Sequence, residues 1–268
     1  MDRGGKDAGG EASFVNLIEL NMKIIIANWK MNGNVGFVKL FIEKINQVST
    51  NNRIIVCPPV SLVSFFGNFR YHVGAQNCFS RIAGAFTGEN SPQLLKELGC
   101  SYVLLGHSER RAIFAESDDF VYEKWLAAVE QNLMPIVCVG ENLQDRTRSS
   151  EILTRQLSRY QQKDLHNTIF AYEPVWSIGT AKIPSAQEIS TTVAFMADML
   201  AHSINYNIVY GGSVNAANAE TILACPGVDG ILVGGASLDI DEFRSVIENC
   251  NVELLETDQK IPSRTRNS

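Results

Sequence analysis

Ile169-Phe-Ala-Tyr-Glu-Pro-Val-Trp-Ser-Ile-Gly-Thr180 decides how the rest of the chain is read: a short apolar run ends in one carboxylate and passes directly into a loop. A run of this length and composition forms a buried strand, which delivers Glu173 to a sheet edge. Pro174 fixes the backbone after the acid, Val175 and Trp176 give the segment an apolar body, and Gly179 leaves an N–H free to approach an anion. With Ile178 and Thr180 these residues form a segment able to close as a lid. A carboxylate dried by such a lid gains proton affinity over its usual value of about 4.3 and becomes a base. Taken alone, a Glu-Pro pair reads more plainly as a solvated or arginine-paired strand end.

Outward from this stretch, short apolar runs alternate with amphipathic segments, the pattern of repeated βα units. Strands are expected at 23–27, 53–57, 72–75, 102–105, 135–139, 168–172, 207–210 and 230–233. Eight parallel strands imply closure into an α/β barrel of (β/α)8 form, a single domain over residues 22–250. Between the strands, Phe37, Leu40, Phe41 and Ile45 form one apolar helical stripe, and Leu94, Leu95 and Leu98 a shorter one. Val193, Phe195, Met196, Met199 and Leu200 form a broader stripe, and all three read as core.

A chain of 268 residues suits one such barrel, and its formal charge of −6 offers no basic field for nucleic acid or an anionic membrane. A local positive pocket for a phosphorylated metabolite is still compatible with that charge. Cys57, Cys78, Cys100, Cys138, Cys225 and Cys250 are scattered, without a C-x-x-C pair or histidines at metal spacing, and read as reduced thiols of a cytoplasmic enzyme. No apolar run reaches the roughly 18 residues of a membrane helix. Residues 1–10 are polar and Gly-rich, and Asn16 and Glu19 interrupt the apolar run Phe14–Leu20, which argues against a secretory segment; residues 1–21 read as a disordered leader extension and residues 251–268 as a polar tail.

In a closed barrel the strand ends converge on one face, so the residues leaving each strand carry the functional signal. After the first strand, Asn28 and Lys30 are two apart and project to one side, with the ammonium available to an oxyanion or phosphate. After the third comes a long loop whose portion Gly84-Ala-Phe-Thr-Gly-Glu89 is apolar enough to require cover, by its own chain or by another subunit. The fourth leads into Gly106-His-Ser-Glu-Arg-Arg111, where Ser108 is expected to cap a helix. His107 then lies at the positive end of that helix, which disfavours imidazolium, and Glu109 can pair with Lys30 or an arginine. Glu141, after the fifth strand, reads as a structural partner. Tyr210-Gly-Gly-Ser-Val214 and Val233-Gly-Gly-Ala-Ser237 follow the last two strands, where such barrels hold phosphate on backbone N–H groups.

Taken together, Ala27-Asn-Trp-Lys-Met-Asn32, Gly84–Glu89, Gly106–Arg111, Ala171–Thr180, Tyr210–Val214 and Leu232–Ser237 resemble the triosephosphate isomerase family, in order, from about Met22 to Cys250. The resemblance implies a TIM barrel that interconverts dihydroxyacetone phosphate and D-glyceraldehyde 3-phosphate in glycolysis and gluconeogenesis, with no cofactor and no metal. It implies Glu173 as the base, His107 as the neutral electrophile, and Lys30 and Asn28 as the groups that stabilise and polarise. This acid/base pairing and loop closure are a worked example of general enzymology rather than a result from this chain. It further implies that Gly179, Ser213, Gly234 and Gly235 hold the phosphate, that Ile178 and Leu232 cover the base, and that Thr87 enters a second subunit of a homodimer. Ala181 and Pro184 depart from the family's small-residue hinge, which bears on lid motion rather than on chemistry.

Two other readings are compatible with a phosphate-holding barrel: a metabolite-binding or adhesion protein without turnover, and an enzyme acting on a larger sugar or aryl phosphate. The first has no chemical use for Lys30, His107 and Glu173 together. The second needs a roomier pocket than the lid leaves.

Overall fold

The computed structural model describes residues 22–180 and 182–251. Within them the strands β1 (Ile24–Asn28), β2 (Arg53–Cys57), β3 (His72–Ala75), β4 (Tyr102–Leu105), β5 (Met134–Val139), β6 (Asp164–Tyr172), β7 (Ile204–Tyr210) and β8 (Gly230–Val233) pair in chain order. All pairs are parallel, and β8 returns to β1 through Ile24 opposite Gly230, which closes the barrel. The extensions expected at residues 1–21 and 252–268, and the hinge residue Ala181, lie outside the described residues. Asn251, assigned to the tail by its polarity, is held to the body by its Oδ1, which accepts from Thr50 Oγ1 at 2.5 Å.

Side chains alternate about each strand, so each strand supplies two cores. Ile24, Ile26, Ile55, Cys57, Leu104, Ile136, Cys138, Ile169, Ala171 and Leu232 pack inside the barrel. Ile25, Ala27, Ile54, Val56, Leu105 and Phe170 pack outward against Phe41, Ile45, Trp125 and Phe243 of the surrounding helices. Both faces are dry, which explains why these strands read as continuous apolar runs.

The helices begin where the sequence offers a side-chain acceptor. Ser117 Oγ accepts from Phe120 N at 3.1 Å, and Ser185 and Glu188 form a reciprocal capping box. Two of the expected stripes need correction. In the helix Val35–Ile45 the buried face is Val38, Phe41 and Ile45, while Leu40 points to solvent; of Leu94 and Leu95 in the helix Pro92–Glu97 and Leu98 just after it, only Leu95 is buried. Apolar character alone did not locate the packed face.

β6 and β7 run further down than expected, to Asp164 and Ile204. A register irregularity separates the Asp164/Ile204 pair from Thr168/Tyr206, and His166, Asn167 and Asn205 there have φ of 49°, 61° and 58°. Polar residues in left-handed conformations carry no strand signal, so hydrophobic pattern missed this end. The mouth of the barrel is unaffected by it.

Candidate active site

The alternation that builds the inner core also aims the polar residues. Asn28 continues the inward series Ile24 and Ile26, and Glu173 continues Ile169 and Ala171, so both emerge inside the mouth. His107 needs a break in phase, and Gly106 provides it with φ +64°, tight against Val121 and Arg111. These three converge with Lys30, Ile178, Gly179, Ser213, Leu232, Gly234 and Gly235 on one cavity of about 460 Å³. Sequence separations of up to 207 residues collapse into a single site.

Glu173 is 1% exposed. Its Oε2 accepts from Ser108 N at 3.1 Å, the free N–H of a helix's first turn. Its Oε1 lies 3.2 Å from His107 Nε2, without a hydrogen bond. Among the described residues that oxygen has no hydrogen-bond partner, a state it shares with Trp29 Nε1, Glu116 Oε2 and Tyr160 Oη. The backbone of Glu173 is fixed as tightly: its N–H donates to Val139 O at 2.7 Å, and Gly140 faces it so closely that a Cβ there would lie 1.9 Å from Glu173 O. Beside Glu173, burial, followed by the adjacent Glu173 charge, pushes the Cys138 thiol well above its ordinary range, so it stays a protonated, inert core group.

His107, not Ser108, caps the helix Ser108–Phe114: its Nδ1 accepts from Glu109 N at 3.3 Å. A ring nitrogen that accepts a backbone N–H carries no proton there, so the ring's hydrogen sits on Nε2, the nitrogen nearer Glu173. The histidine side chain thus does the work expected of the serine.

Lys30 has φ +52°, a left-handed conformation that costs on the order of 1 kcal/mol outside glycine. Neighbouring groups hold it there. Asn28 Oδ1 accepts the Lys30 N–H at 3.0 Å, and Gln76 Nε2 donates to Lys30 O and to Cys57 O, both at 2.8 Å. Its ammonium contacts Glu109 Oε1 at 2.5 Å, the pairing expected from sequence. Gln76 and Gly140 were not singled out by sequence reasoning, and Ser108 was read as a side-chain cap when it acts through its backbone N–H; only Gln76, within Gly74-Ala-Gln-Asn77, had an unread side chain to notice.

Along the lid, Pro174 is buried and Val175–Ser177 form one turn of 3₁₀ helix. Trp176 Nε1 donates to Glu141 Oε1 at 3.0 Å, Tyr172 donates to the same oxygen at 3.3 Å, and Val175 N donates to Glu141 O at 2.9 Å. Glu141 is therefore the structural partner expected, and it holds the arm leading into the lid. Gly179 has φ +68°, and Thr180 Oγ1 donates back to Trp176 O at 2.9 Å. Opposite, Gly235–Leu238 make a 3₁₀ turn whose first residues face the cavity. Thr87 does not line this cavity; it is exposed on its loop, as are Ile82 and Phe86.

Comparison with known proteins agrees with this geometry. The family model described as triosephosphate isomerase matches residues 23–250. A triosephosphate isomerase of Francisella tularensis subsp. mediasiatica (strain FSC147) is 41% identical over 247 residues, covering 85% of this chain and 97% of its own. One from Pseudoalteromonas translucida (strain TAC 125) is 41% identical over 241 residues, covering 85% and 95%. A closed eight-stranded parallel barrel, a buried carboxylate and imidazole at its mouth, and relatives matched over nearly their whole length lead to one conclusion: the chain belongs to the triosephosphate isomerase family of isomerases.

Proposed function

We propose that this enzyme interconverts dihydroxyacetone phosphate and D-glyceraldehyde 3-phosphate through an enediolate, the step that glycolysis and gluconeogenesis share. The observation that carries the reading is the buried Glu173 carboxylate, set 3.2 Å from His107 Nε2 on a cavity at the barrel mouth. Glu173 removes the proton alpha to the carbonyl and returns it to the neighbouring carbon. His107 Nε2–H donates to the oxygens on which negative charge develops, and Lys30 and Asn28 stabilise and polarise the same oxygens. A neutral imidazole is suited to this because it can both give and regain a proton as the charge moves between the oxygens.

Gly179, Ser213, Gly234 and Gly235 hold the phosphate, largely through backbone N–H groups. Ile178 and Leu232 cover the base, and excluding water strengthens it and protects the enediolate from losing phosphate. The protein acts as a homodimer. Met31, beside Lys30, is 95% exposed, and Phe86 and Ile82 next to Thr87 are 42% and 46% exposed, which supports a second subunit covering this face. Cytoplasmic location is supported by six free, buried cysteines, and no helix of the described residues is long and apolar enough to cross a membrane.

A coupled assay for glyceraldehyde 3-phosphate, run without added metal, tests the reading. The parent turns over, and Glu173→Gln loses roughly 10³-fold in kcat. Equal rates in the two proteins exclude Glu173 as the base.

A further inference from the structure

Ser177 lies in the lid, is completely buried, and takes no part in the chemistry above. Its Oγ donates to Lys182 O at 2.6 Å, lies 3.2 Å from Tyr210 Oη, and accepts from Ser213 N at 3.4 Å. A serine hydroxyl has one proton and two lone pairs. The proton is committed to Lys182 O, so Tyr210 is the donor in its pair and the hydroxyl's capacity is filled. Burial pushes the Tyr210 phenol up to about 12, which keeps that donor protonated. The three partners come from three places: the far arm of the lid, the end of β7 and the loop after it.

The main chain of Ser177 adds a second link. Its carbonyl accepts from Ser213 Oγ at 2.5 Å, so both the N–H and the hydroxyl of Ser213 are oriented by Ser177. Ser213 is also a residue whose donors the proposed function assigns to the phosphate, and the inference rests on that assignment.

We propose that Ser177 is a positioning residue for the anion cradle. Its side chain holds the Ser213 donors, the Tyr210 hydroxyl and the far lid arm in register before the phosphate arrives. Both Ser213 donors point at Ser177, the N–H at its Oγ and the hydroxyl at its carbonyl, so the incoming anion competes for donors already held in place and little backbone ordering is left to occur on binding. Ala at this position leaves a buried phenol, a carbonyl and the Ser213 N–H without their common partner.

The test is Ser177→Ala, with Tyr210→Phe alone and in combination. Inorganic phosphate is the probe, its affinity read by calorimetry and by competitive inhibition of isomerisation. Ser177→Ala weakens phosphate about tenfold and raises KM in parallel, with kcat within about twofold of the parent. Tyr210→Phe weakens phosphate in the parent and adds little in the Ser177→Ala background. A folded Ser177→Ala protein, by circular dichroism and melting temperature, with parent-like phosphate affinity overturns the proposal. So does a loss confined to kcat. Should Ser177→Ala fail to fold, unchanged phosphate affinity in Tyr210→Phe overturns it equally. Calorimetry needs no turnover, so an inactive parent would count against the isomerase reading while phosphate affinity still decides this one.

Discussion

Gly140→Ala displaces Glu173, the proposed base, through its main chain while leaving its side chain unaltered. A Cβ at this position meets Glu173 O at 1.9 Å and Glu173 C at 2.6 Å, whereas ordinary contact begins at 3.4 Å. Relief therefore requires a displacement of about 1.5 Å between the end of β5 and the residue carrying the base. The φ of +153° at Gly140 adds strain for any side chain. A misplacement of about 1 Å typically costs on the order of 10²-fold in rate, so kcat falls by at least about 10². Gly140 does not line the cavity that holds the proposed phosphate donors of Gly179, Ser213, Gly234 and Gly235, so KM and the inhibition constant of inorganic phosphate change by less than about threefold. The variant also loses stability by about 1–3 kcal/mol, read from urea denaturation, which separates a folded, slow enzyme from an unfolded one. A folded Gly140→Ala protein with the parent kcat refutes the argument that this contact sets the base.

Other substitutions test separate parts of the account. Glu173→Asp retracts the carboxylate by one methylene and lowers kcat roughly 10²-fold with little change in KM; a matching rise in KM contradicts the division between base and phosphate site. Lys124→Met leaves Glu116 buried with only Arg110 for a partner, and costs about 3 kcal/mol by urea denaturation. Burial raises the Asp229 carboxyl above its ordinary 3.8, so between 3.8 and the raised value the native state binds more protons than the unfolded chain, and stability falls as pH rises through that window. Asp229→Asn accordingly has a higher melting temperature than the parent above the window, and the difference vanishes below pH 3.8, where both side chains are neutral. Phe86→Asp or Thr87→Arg shifts sedimentation toward monomer and lowers activity; a fully active monomer contradicts the dimer proposal.

How much of this was legible in the sequence varied with the physics. Inward-facing strand residues were legible because Ile169, Ala171 and Glu173 share one phase, and burial on both faces makes each strand an apolar run. Asn28 was legible by the same phase, whereas His107 reaches the mouth through the turn at Gly106 and Lys30 through a left-handed backbone. Features held by backbone groups were not legible. The Ser108 N–H on Glu173 and the close approach at Gly140 leave no side-chain signature. His107 took the cap role expected of Ser108 because its Nδ1 reaches back to Glu109 N, a bond no composition rule predicts. Leu40, Leu94 and Leu98 read as core because apolar spacing does not say what covers a face, and Ser177, inside the lid segment, was given no role of its own.

The central claim is that one buried carboxylate carries the transferred hydrogen, and isotope exchange reads it directly. Isomerisation run in deuterium oxide should place solvent deuterium on the product carbon that receives the proton, because Glu173 exchanges with solvent while the enediolate persists, and Glu173→Gln should abolish both turnover and incorporation. Product that keeps its original hydrogen in full, from the parent enzyme, would indicate a direct shift between carbons and contradict the account.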